Sequence, residues 1–80
     1  MSPLLDRISI NPDVCFGRPC IKGTRIWVSL ILDFLASRST EGELLREYPQ
    51  LTHDDILAAL AYGSEAARDQ ILSIPTTKAG

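Results

Sequence analysis

The chain alternates polar and apolar residues first, and only later shifts to a helical period. Arg7-Ile8-Ser9-Ile10 puts apolar side chains at every second position, which predicts a short half-buried strand. Asn11-Pro12-Asp13 supplies turn residues that stop it, and an irregular loop begins at Val14 to Gly17. Thr24-Arg25-Ile26-Trp27-Val28 is rich in β-branched and aromatic residues and is expected to pair with the first strand. A two-stranded hairpin is not stable by itself, so it must rest on helices.

From Val28 the apolar residues recur at helical spacing. Val28, Ile31, Leu32 and Leu35 form a stripe that Leu30 and Phe34 widen, predicting a helix to about Ala36 that is buried on more than one side. Thr40-Glu41-Gly42-Glu43 reads as a capping box, with Thr40 and Glu43 satisfying each other's amides. A short helix should follow, with Leu44, Leu45 and Tyr48 facing inward and Pro49 ending it. Thr52 then caps a second boxed helix that Ile56, Leu57, Leu60 and the neighbouring alanines carry on. Gly63 marks either a close backbone contact or a helix end, and Pro75 closes the structure. The expected architecture is mainly α: three helices in helix-turn-helix order behind a short N-terminal β-hairpin.

Composition narrows the class. At 80 residues the chain is one domain, taken as residues 1–71 with a flexible tail at 72–80. A core of this size is marginal by area, so tight packing or self-association is expected. No apolar run has signal-peptide or membrane-spanning length, so a cytoplasmic protein is expected, with no membrane partner and with Cys15 and Cys20 as thiols. Only His53 could join the two thiols apart from carboxylates, so no metal and no cofactor is expected. Net charge is −2 but unevenly spread: residues 1–40 carry five Lys/Arg against three acids, and residues 41–80 three against seven. A polyanion would meet the first half.

That positive half concentrates in Gly17–Ile26, "GRPCIKGTRI", which holds Arg18, Lys22 and Arg25 and no acid. It is not a phosphate loop, because lysine and glycine are swapped relative to that motif and no parallel sheet is available. Catalysis is not expected either. His53 stands beside Asp54 and Asp55 at a helix start with no nucleophile obviously placed for it. Two readings remain for the loop: turn chemistry built on Pro19, Gly23 and Thr24, or a contact surface.

Several marks together resemble a small prokaryotic family, the domain of unknown function numbered four hundred and thirty-three. They are Gly17-x-Pro19, Ile21-x-Gly23-Thr24-Arg25-Ile26, Val28, Tyr48-Pro49-x-Leu51-Thr52 and Ile56-x-Ala58-Ala59-Leu60-x-Tyr62, and the likeness covers about residues 7–65. The resemblance implies a homeodomain-like helix-turn-helix domain. It also implies an antitoxin of a type II toxin–antitoxin pair that neutralises a PIN-like ribonuclease toxin and represses its own operon through operator DNA. The chain departs from the pattern at Ser37-Arg38-Ser39, where glycine is common, at Trp27, where proline is common, and at Cys15 and Phe16.

The candidate DNA contacts are Arg18, Lys22, Thr24, Arg25, Gln50, Thr52 and His53, with phosphate anchoring falling to the loop because the helices are acidic. The candidate partner contacts are Phe16 and Trp27, if exposed, and Arg68, Ile71 and Leu72 in a C-terminal segment that would order on a partner. The expected role is a non-enzymatic, homodimeric antitoxin and autorepressor. The alternative is a stand-alone protein-interaction or DNA-binding module, in which acids such as Glu41, Glu43, Glu47, Asp54, Asp55 and Glu65 would face a basic partner.

Overall fold

The computed structural model describes residues 3–69. The expected tail at 72–80, its boundary at 71, and the candidate contacts Ile71 and Leu72 lie outside them. Within them the chain is mainly α, with three helices behind a two-stranded antiparallel sheet. A 3₁₀ turn, Pro3–Arg7, leads into β1 (Ile8–Ser9), which pairs with β2 (Cys20–Ile21) in the register Ile8 to Ile21 and Ser9 to Cys20.

The strand expected at Thr24–Val28 is therefore not the partner of β1. The chain turns back one step earlier than its β-propensity suggests. The amide and the hydroxyl of Thr24 both donate to the Ile21 carbonyl, at 2.9 and 2.8 Å, and the hydroxyl accepts from the Ile26 amide at 3.0 Å. Gly23, at φ +82°, supplies the left-handed residue this tight turn needs. Ile26 and Trp27 then return along the other edge of β2, where the Ile21 amide donates to Ile26 and Cys20 bridges Trp27. The first strand keeps only Ile8 and Ser9 of the predicted four, since Arg7 closes the 3₁₀ turn and Ile10 is 60% exposed.

Helix α1 (Val28–Ala36) starts where the Val28 amide reaches the Pro19 carbonyl. Its broad stripe is buried unevenly. Val28 and Ile31 are buried, while Leu30, Leu32, Phe34 and Leu35 are half-buried against the core. Arg38, in the link after α1, takes φ +70°, the conformation a glycine would adopt without strain.

Helix α2 (Glu41–Glu47) opens on the predicted box: the Thr40 amide donates to Glu43 at 2.9 Å, and the Glu43 amide donates to the Thr40 hydroxyl at 3.1 Å. Helix α3 (His53–Asp69) repeats the device with Thr52 and Asp55. It runs straight through Gly63, and the reason is the close backbone contact rather than a helix end. A Cβ built there would meet Leu32 Cδ1 at 3.1 Å, so glycine lets α1 and α3 approach. Ile21, Ile26, Val28, Ile31, Leu44, Leu51, Ile56 and Ala59 form one core beneath all the elements. No helix among the described residues is long and apolar enough to cross a membrane.

Candidate functional site

The loop between β1 and β2 is wound left-handed. The Asn11 carbonyl collects the amides of Val14 (2.9 Å) and Gly17 (3.1 Å), and the Asn11 side chain accepts from the Asp13 amide (2.8 Å). Closing on a single carbonyl places Cys15, Phe16 and Gly17 at φ +54°, +57° and +77°. For the two residues with side chains this conformation costs about 1–2 kcal/mol each. The winding buries Cys15 and leaves the Phe16 ring 90% exposed.

Beside it, the Arg18 guanidinium lies 4.8 Å from the centroid of the half-buried Trp27 ring. Phe16, Trp27, Pro12, Asp13, Cys15 and Arg25 line a cavity of about 270 Å3. Trp27 also lines a groove of about 490 Å3, with Ser29, Leu30, Asp33 and Phe34 of α1 and with Tyr48. Both candidate aromatic contacts thus fall on one face, and Phe34 and Tyr48, read from sequence as core, extend it.

The cations of this region do not converge. Arg18 lies toward α3, where it borders a small apolar cleft with Tyr62, Gly63 and Ala66. Arg25 lies beside Phe16. Lys22 stands on the turn after β2, its amide donating to the Arg7 carbonyl (2.8 Å). None of the three forms an ion pair among the described residues. Thr24 belongs to the turn, where its hydroxyl donates to the Ile21 carbonyl and accepts from the Ile26 amide.

From the sequence Arg7 is a strand residue and one of the N-terminal cations, and Asp55 is a first-turn acid that faces a basic partner in the alternative reading. Asp55 is instead 7% exposed. It accepts from the Thr52 amide and from Arg7 Nη1, both at 3.0 Å, and Arg7 Nη2 lies 3.5 Å from Asp54. The pairing joins positions 48 apart in sequence, and no local pattern announces it. His53 Nδ1 lies 2.6 Å from Glu41 Oε2, on an exposed side chain. The Thr52 hydroxyl is held by the Asp55 amide at 3.2 Å, and Gln50 is exposed. Arg68 pairs with Glu65 at 2.7 Å. Burial, with the Cys15 thiol beside it, pushes the Cys20 thiol above its ordinary value, and the Thr40 amide holds the Glu43 carboxyl below its own.

The family model described as "Protein of unknown function (DUF433)" matches residues 8–63, which include the hairpin, α1, α2 and most of α3. The chain belongs to this family. A crystal structure of a DUF433 member from Anabaena variabilis superimposes with a TM-score of 0.73 at 35% identity, over 79% of this chain and 62% of that one. This chain thus spans less than two thirds of that DUF433 protein. No curated protein matches the chain. The matched residues hold the left-handed loop and the Trp27 face, while Arg7 and Arg68 lie outside them.

Proposed function

We propose that this chain is a non-enzymatic antitoxin of a type II toxin–antitoxin pair, which neutralises a PIN-like ribonuclease toxin in the cytoplasm and represses its own operon by binding operator DNA as a homodimer. The toxin partner rests on the family resemblance set out above. The observation that carries the DNA part is the charge arrangement around the start of α3. Its acids are already engaged, Asp54 and Asp55 by Arg7 and Glu41 by His53, while Lys22, whose amide donates to the Arg7 carbonyl, forms no ion pair among the described residues. Helix α2, a turn and α3 stand in helix-turn-helix order. In this reading Lys22 anchors a phosphate, and Gln50 and His53 reach base edges. The segment from Arg68 onward holds the toxin.

Expressing the neighbouring reading frame alone, and then with this chain, tests the antitoxin role. Growth arrest relieved by a co-purifying complex is the expected result. A harmless neighbour that never co-purifies leaves the second reading, a stand-alone regulator, which the same Lys22 supports. For DNA, Lys22→Glu should weaken operator binding and lower the salt slope by about 1. An unchanged slope removes Lys22 from the interface.

A further inference from the structure

We infer that a second copy of this chain docks on the Trp27 face, each copy inserting its Phe16 ring into the groove that Trp27, Leu30, Phe34 and Tyr48 form on the other. The inference rests on the dimeric part of the reading above and on nothing else in it.

The face carries both halves of a fit. Phe16 is a projecting ring, 90% exposed, and its left-handed backbone holds it there. The groove that shares Trp27 with it, about 490 Å3, is lined mainly by apolar and aromatic side chains. A two-fold axis near Trp27 places each projection opposite the other copy's groove, since an isologous contact needs projection and recess on one patch.

The charges match in the same sense. Arg25 stands beside Phe16 and Asp33 lines the groove. Neither has an ion-pair partner among the described residues. Docking therefore brings Arg25 of each copy toward Asp33 of the other, with Asp13 at the edge of the same contact. Strain at exposed positions collects where it serves a contact, and aromatic anchors flanked by polar rims are the usual build of such contacts. A nucleic acid is a poorer occupant, because Asp13 and Asp33 both border the face.

The test is the mass of the full chain by light scattering across a dilution series, read together with the emission of its single tryptophan. Wild type should be a dimer whose Trp27 emission shifts to the red as it dissociates. Phe16→Gly, which removes the ring and relieves the backbone, should stay folded by circular dichroism and dissociate at least tenfold more readily. Arg25→Asp and Asp33→Arg should each weaken the dimer, and the double charge swap should restore it. A monomeric wild type overturns the inference. So does a Phe16→Gly dimer as tight as wild type, or a charge swap that fails to recover. Phe16-dependent quenching of Trp27 by a single-stranded oligonucleotide, with the mass unchanged, would assign the face to nucleic acid instead. Neither toxin nor operator enters the measurement, so its result is separate from the antitoxin result.

Discussion

Removing the Asp55 carboxylate should be the most damaging single change at the start of α3. Two losses combine. Asp55 is half of the Thr52 capping box, and losing a cap costs about 1 kcal/mol. It also takes a charged hydrogen bond from Arg7 at 3.0 Å. Bonds of that type contribute about 1.5–3 kcal/mol. Here the lower end applies, because the Arg7 side chain is 43% exposed and rehydrates when released. Asp55→Ala should therefore cost about 2–3 kcal/mol. Asp55→Asn keeps an acceptor for the Thr52 amide and loses the charge, so it should cost about half as much.

Urea titrations followed by circular dichroism, at one fixed protein concentration, measure both variants. In a thermal melt of a domain this size, about 4–8 °C is lost per kcal/mol. An Arg7→Met and Asp55→Asn double-mutant cycle should show a coupling of about 1 kcal/mol. Two results would refute the reasoning: an Asp55→Ala cost below about 0.5 kcal/mol, or a cycle that is additive within error. Either would mean that Arg7 does not tie β1 to α3.

Gly63→Ala should leave stability within about 0.5 kcal/mol of wild type, as helix propensity gains what the Leu32 methyl loses by moving; Gly63→Leu should cost about 1–3 kcal/mol by forcing α1 and α3 apart, and equal melting temperatures for all three proteins would contradict this. Cys20 should react slowly with a thiol reagent in the folded protein and fast in urea. Because burial raises its folded value, its contribution to stability is full below the ordinary value of 9.0 and declines as pH rises through the raised one, so Cys20→Ala should flatten the alkaline limb of a melting-temperature profile. Glu43 has the opposite sign. Its carboxyl is held low by the Thr40 amide, so its contribution is present above the ordinary value of 4.5 and fades on acidification; Glu43→Gln should shrink the acid limb, and an unaltered limb would discount the cap.

What could be read from the sequence follows how far each cause reaches along the chain. The stripe of α1, the Thr40–Glu43 box, the stop at Pro49 and the Thr52 cap were legible because each depends on residues at most a few positions apart. The hairpin register was not. Thr24 has the β-branched side chain of a strand residue, yet its hydroxyl is used to close a turn, a choice that depends on Gly23 and on where β2 begins. The left-handed loop is hidden for a related reason. Cys15 and Phe16 do not favour positive φ, and they adopt it because the Asn11 carbonyl draws in two amides at once. Exposure of Phe16 follows from that winding and not from its own character. The same logic separates the acids. The box spacing from Thr52 sets Asp55 apart from Asp54 in the sequence, but the arrival of Arg7 at the Asp55 carboxylate is not legible there. The aromatic face is thus the part of the site least open to prediction, since Phe16, Trp27 and Tyr48 come from a strained loop, a strand edge and a helix end. Only the packing of α1 against those elements brings them onto one surface.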